Sequence, residues 1–113
     1  MALSVPPARR ESVDIAESWQ VCRIRGDLDC TRADLLRAYV DAALEPPVPG
    51  GPPRIALHLA DVPFCDSYGL SALVYAAKRL RAEGGALRVT SASRQVRSLI
   101  RRCGLDCLLP LPD

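Results

Sequence analysis

The 113-residue chain has room for one folded domain of modest core, and 49% apolar residues supply it. Fifteen Lys and Arg against thirteen Asp and Glu leave a formal charge of +2, too little for the electrostatic footprint of a dedicated nucleic-acid binder. Aromatic residues at 4% cannot furnish base-stacking platforms, and five cysteines without a Cys-x-x-Cys pair argue against a disulfide framework or a closed zinc site.

Residues 1–11 contain Pro6, Pro7, Arg9 and Arg10 without apolar periodicity and are expected to form a flexible tail. This start lacks the basic-then-apolar pattern of a secretory leader, and no apolar run reaches bilayer-spanning length, so a cytoplasmic protein without membrane insertion is expected. The domain is expected over 12–113. From Ser12 to Arg25 short β-compatible groups (Val13, Ile15, Trp19, Val21, Cys22, Ile24) predict one or two strands as a hairpin, closed by a Gly26-Asp27 turn.

Thr31 with Asp34 resembles a capping box, and Leu35, Leu36, Tyr39, Val40, Ala43 and Leu44 follow at helical spacing, predicting a first helix. Residues 45–53, rich in proline, are expected to be a solvated, semi-extended loop within the one domain. Arg54 to Ala60 is a mostly apolar run, expected as an interior strand covered on both faces. Ser67 to Glu83 carries Leu70, Leu73, Val74, Ala77 and Leu80 on one stripe, with basic residues near its end and Gly84-Gly85 as the stop, predicting the second helix. Ala86 to Thr90 reads as a strand. Ser93 is expected to cap a third helix whose face includes Val96, Leu99, Ile100 and Cys103, ended by Gly104, with Leu105, Leu108 and Leu109 closing the fold.

The alternation predicts an α/β fold, a single-layer, mixed but mostly parallel sheet of four to five strands with three to four helices packed on it through right-handed crossovers. Between central strand and second helix, Asp61-Val-Pro-Phe-Cys-Asp66-Ser67-Tyr68-Gly69-Leu70 places polar residues at a helix start beyond a strand end, where function commonly resides. Unsatisfied amides and the positive dipole end favour an anion there, such as a phosphoryl group on Ser67. A plain capping role for Asp66 or Ser67 accounts for the same local residues.

LHLADVPFCDSYGL resembles the segment that marks the STAS family (sulfate transporter and anti-sigma factor antagonist), an Asp-closed strand, a short apolar loop and Asp-Ser-x-Gly-Leu. Gly26-Asp27-Leu28-Asp29 is similar to the family's turn before its first helix. Gly84-Gly85-Ala-Leu and SASRQVRSLIRRCGLDCLL resemble its later turn and last helix. The resemblance implies a STAS-like fold and an anti-sigma factor antagonist that binds an anti-sigma factor with ATP-dependent serine kinase activity. Phosphorylation of Ser67 would release it, a phosphatase would reverse the step, and sigma-factor-dependent transcription would follow.

Partner contacts are implied at Asp27, Asp29, Asp61, Asp66, Ser67, Tyr68 and Gly69, the last as a small residue allowing close approach of the partner. Tyr68 stands where a small residue is expected. The alternative is a non-switching STAS adaptor docking in a transporter or signalling assembly through the same loop, with Tyr68 as anchor. No catalytic role, cofactor or metal is expected. His58 reads as a hydrogen-bonded, partly buried strand residue, Asp61 and Asp66 as turn and cap acids, Arg94, Arg97, Arg101 and Arg102 as a solvated face, and Cys103 as a helix-end core residue rather than half of a redox pair with Cys107.

Overall fold

A computed structural model describes residues 10–12, 18–45 and 51–112. In chain order the elements are β1 (Arg10–Ser12), β2 (Ser18–Arg25), α1 (Cys30–Leu44), β3 (Arg54–Asp61), α2 (Ser67–Ala82), β4 (Ala86–Ala92) and α3 (Arg94–Arg102). Strands β2, β3 and β4 lie side by side and parallel, in that order. The parallel part of the sheet thus has three strands, and only the short β1 brings the sheet to four, the lower of the numbers expected. The three-residue β1 adds an antiparallel edge, with Ser12 opposite Ser18.

That pairing gives the expected hairpin and moves the start of the fold forward, since Arg10 and Glu11 pair with Gln20 and Trp19 instead of belonging to a tail. Residues 1–9 of the expected tail, Val13 and Ile15 of the expected strands, and residues 46–50 of the proline loop lie outside the described residues.

Alternation along the strands builds the core. Cys22 and Ile24 of β2, Ile55, Leu57 and Leu59 of β3 and Val89 of β4 all point to one face, because the parallel register sets Cys22 against Leu57 and Leu57 against Val89. Ala33, Leu36 and Val40 of α1, the Ala72, Leu73, Ala76, Ala77 and Leu80 stripe of α2, and Val96 and Ile100 of α3 cover that face in one cluster, with Leu109 behind them. Burying such a Leu or Ile contributes about 1.5–3 kcal/mol each. The helices occupy this face alone, so β3 is not covered by helices on both sides. On the other face Trp19 lies between Arg54 and Arg88, whose guanidiniums stand 5.6 and 4.4 Å from its ring. His58, half-buried on that face, meets Ser91 Oγ through Nδ1 at 2.7 Å.

The helix starts refine the reading. α1 begins at Cys30 with Asp29 as its cap, whose carboxylate accepts from Arg32 N, so the Thr31 and Asp34 capping box does not form. The spacing was right for a box, but an acid immediately ahead already filled the role. α3 is capped by Ser93 as expected, and Ser93 Oγ accepts from Val96 N while donating to Val62 O at 2.6 Å. At its other end Cys103 is exposed instead of packed, because it caps a helix that Gly104 (φ +68°) turns away from the core. Among the described residues no helix is long and apolar enough to cross a membrane.

Candidate functional site

Parallel strands carry their helices' N-termini to one edge of the sheet, so the turns after β2 and β3 meet there. Leu28 and Cys65 form an isolated parallel bridge: Leu28 N donates to Phe64 O at 2.9 Å and Asp66 N donates to Leu28 O at 3.3 Å. Gly26 N donates to Asp61 O at 3.0 Å one step earlier. The pairing of β2 with β3 thus continues past the strands into both loops, and it brings Asp27, Asp29, Asp61 and Asp66 onto one rim.

Their environments differ. Asp61 is exposed and 3.8 Å from Arg25, an ion pair screened by water and of little energetic weight. The Asp27 carbonyl accepts from Arg32 Nη1, which also stands 3.7 Å from the Asp29 carboxylate. Asp66 has no Lys or Arg within 4.0 Å among the described residues, and its Oδ1 accepts from Gly69 N at 2.8 Å as the α2 cap.

Ser67 is the first residue of α2 and is exposed, with its hydroxyl beside amides that have no intrahelical acceptor. Flanking it, Tyr68 is 61% and Phe64 49% exposed; with Leu35 they are the large apolar side chains most open to solvent among the described residues. Gly69 is buried, and the close approach it permits is internal instead of a partner's. A Cβ at this position would stand 2.2 Å from Leu28 O and 2.9 Å from Cys65 Sγ, so only glycine lets α2 begin beneath the Leu28 turn.

Three residues that sequence reasoning missed complete the site. Gln95 clasps the Cys65 peptide from the α3 side, its Oε1 accepting from Cys65 N at 2.9 Å and its Nε2 donating to Cys65 O at 3.3 Å. Arg32 neutralises the α1 start, and Phe64 supplies the second exposed aromatic. An amide thirty positions away in sequence gives no local signal; the run Pro63-Phe64 before an acid-capped helix was the one cue available for Phe64.

Cys65, for all its nearness to Ser67, is not a nucleophile. Burial, with the Asp66 charge adding to it, pushes its thiol up to about 12, as burial does for Cys22. Among the described residues no group of three or more His, Cys, Asp or Glu is placed to hold a metal ion. The arrangement offers an exposed hydroxyl at a dipole-positive helix start, an uncompensated carboxylate beside it and two aromatic faces.

The STAS domain family model matches residues 11–113. An anti-sigma F factor antagonist of Paenibacillus polymyxa is 28% identical over 93 residues, 82% of this chain and 77% of the relative. Among solved structures, an anti-sigma factor antagonist of Mycobacterium paratuberculosis superposes with a TM-score of 0.72 at 25% identity, covering 97% of this chain and 85% of that one. The anti-sigma factor antagonist SpoIIAA in its unphosphorylated form shares the fold, with a TM-score of 0.60 at 21% identity over 83% of this chain and 81% of that one. With the Asp66-Ser67 turn and the parallel sheet it follows, these likenesses carry one conclusion: the chain belongs to the STAS domain family.

Proposed function

We propose that this protein is an anti-sigma factor antagonist controlled by phosphorylation of Ser67. The unmodified chain docks through Asp27, Asp29, Asp61, Asp66, Ser67 and Tyr68 on an anti-sigma factor that is also an ATP-dependent serine kinase. While docked it keeps that factor from its sigma factor, so transcription dependent on the sigma factor proceeds. In the releasing step the Ser67 oxygen takes the γ-phosphoryl group of ATP, ADP leaves, and the hydroxyl proton passes to solvent or to a kinase base. A phosphatase resets the cycle, and all of it is placed in the cytoplasm.

The observation that carries this reading is the exposure of Ser67 at the first position of α2, directly beside a carboxylate that no cation among the described residues offsets. Phosphorylation adds about −1.5 to −2 charges there. In the free protein the first-turn amides and water solvate the dianion. At an interface the water is expelled and Asp66 repels it, so the modification costs far more bound than free. Binding is therefore lost without refolding.

Mass spectrometry after incubation with the cognate kinase and ATP is expected to find phosphate on Ser67 and none on Ser67→Ala, and Ser67→Asp is expected to weaken the complex. A second reading, a non-switching adaptor, draws on the exposed Phe64 and Tyr68, an aromatic pair suited to anchoring. A stable complex with Ser67 never labelled would replace the switch by that adaptor.

A further inference from the structure

Residues 62–66 lead from the end of β3 to the Ser67 turn, and they are held from two sides. On the β2 side the holds run from main chain to main chain, through Gly26 and Leu28. On the α3 side, side chains take part. Ser93 N donates to Leu59 O at 3.2 Å and Ser93 Oγ to Val62 O, which bolts the start of α3 to the end of β3. From that first turn the Gln95 carboxamide reaches Cys65, accepting from its N–H at 2.9 Å and donating to its carbonyl at 3.3 Å.

The contacts alternate as in an extended strand. Phe64 O and Asp66 N face Leu28, while Cys65 N and O face Gln95. A strand residue needs one donor and one acceptor from its neighbour. Leu28 offers its own peptide groups, and Gln95 offers Oε1 and Nε2 in one plane, a pair that among side chains only Asn and Gln carry. Position 95 therefore calls for a carboxamide and not for bulk.

The second of these peptides leads directly to the serine. In the Cys65–Asp66 peptide the N–H is held by Leu28 O and the carbonyl by Gln95 Nε2. Asp66 then continues extended (φ −94°, ψ −174°) and caps α2, whose first residue is Ser67. With that peptide plane fixed and α2 packed on the core, χ1 is the torsion left to aim the Ser67 oxygen.

We infer that Gln95 is a positioning residue for Ser67: by holding the Cys65–Asp66 peptide from the α3 side it presents the serine hydroxyl in one orientation. The inference rests on the phosphorylation proposed above and names a residue that governs its rate. The Ser67 oxygen bonds to the γ-phosphorus as the bond to the ADP oxygen breaks, and the acceptor must lie in line at about 3–3.5 Å beforehand. A turn held from the Leu28 side alone would offer the oxygen over a range of directions. Docking draws on Asp27, Asp29, Asp61, Asp66 and Tyr68 together, so loss of the carboxamide falls on the transfer step and not on the encounter.

Single-turnover phosphorylation by excess cognate kinase and ATP, read by mass spectrometry at Ser67, separates the two steps. Gln95→Met keeps the length and volume of the side chain without its hydrogen bonds, and Gln95→Ala removes both. At a temperature where each variant is folded, transfer is expected to slow at least about tenfold, while the kinase concentration giving half the maximal rate shifts by less than about twofold. If packing alone matters, Gln95→Met transfers at the wild-type rate, and that result overturns the inference. A loss carried wholly by the half-saturating concentration overturns it as well.

A second measurement needs no kinase. In the free protein the amide order parameters of Cys65, Asp66 and Ser67 are expected to fall in Gln95→Met while those of Asp27, Leu28 and Asp29 hold; unchanged values at all six overturn the inference. If the wild-type chain takes no phosphate at Ser67 and the order parameters still fall, the switch fails and the positioning of Ser67 stands. If Ser67 is labelled equally fast in the wild type and in Gln95→Met, the switch stands and the positioning fails.

Discussion

The starts of α1 and α2 are built alike and finish differently. Each follows a parallel strand, each is capped by an aspartate, and each cap carboxylate accepts from the amide three residues on, Arg32 N at 3.2 Å and Gly69 N at 2.8 Å. At α1 that third residue is an arginine whose side chain folds back on Asp29 and on the Asp27 carbonyl, so the charge is answered within the turn. At α2 it is a glycine pressed beneath Leu28, and the partly exposed carboxylate beside Ser67 has no cation within 4.0 Å among the described residues. One cap is finished inside the chain, and the other leaves its electrostatics for something outside. The choice of residue at one helical position separates a turn completed within the chain from one whose carboxylate has no cation within 4.0 Å among the described residues.

The sharpest contrast between the two starts is in their thiols. At pH 8 a maleimide or aromatic disulfide is expected to label Cys30, exposed at the head of α1, far faster than Cys65, buried just before α2 and held protonated up to about 12. Against a free thiol near 8.5, the thiolate population of Cys65 is lower by about a thousandfold or more. Equal rates would mean that the α2 start opens. The same burial makes stability depend on pH. The unfolded thiols of Cys22 and Cys65 ionise from about 8.5, while the folded ones hold their protons to about 12. Stability is expected to be full below that range and to fall as pH rises through it, as denaturant titrations at successive pH values will read.

Gly69→Ala is expected to cost the most stability of any cap substitution, about 3 kcal/mol or more, because its Cβ meets backbone that cannot rotate aside. Arg32→Ala, at the matching position of α1, is expected to cost less than about 1 kcal/mol. Urea unfolding of both variants measures how much of the difference between the turns lies in packing. Gln95→Ala leaves the Cys65 amide and carbonyl unpaired and is expected to cost about 1–3 kcal/mol. Hydrogen exchange on that variant should quicken at Cys65 while the Asp29 turn keeps its rates. The caps themselves, Asp29→Ala and Asp66→Ala, are expected to cost about 1 kcal/mol each in thermal melts. Both are expected to weaken binding to the anti-sigma factor, Asp66→Ala more than Asp29→Ala, whose carboxylate is partly offset by Arg32.

Much of this was legible in the residues, for identifiable reasons. The α2 stripe and its Gly84 stop, the β3 run and the Ser93 cap are local patterns, and they appear where periodicity and capping chemistry put them. Interactions that join distant segments were not legible. Gly69 reads as a small surface residue until Leu28 is seen above it, and Gln95 reads as a solvated helix residue until Cys65 is found at its amide. Cys103 fits the apolar face of α3 by spacing, yet the helix ends one residue too early for it to turn inward. β3 is buried on both faces where its apolar run implies it, with Ala56 2% exposed, but the run does not reveal that the helices cover one face alone while Trp19 and its two arginines stand on the other.

The Cys65 peptide is gripped on one side by the Leu28 main chain and on the other by the Gln95 side chain, as though a short extra strand had been laid beyond the end of the sheet. A hinge is therefore missing from the place where signalling proteins often have one. The serine is carried by a frame anchored in the core, and a modification there has no slack to take up. Under the proposed switch, a reader of Ser67 would meet a change of charge on a fixed template, so the signal would be as fast as the chemistry that writes it and erased as soon as the charge is removed.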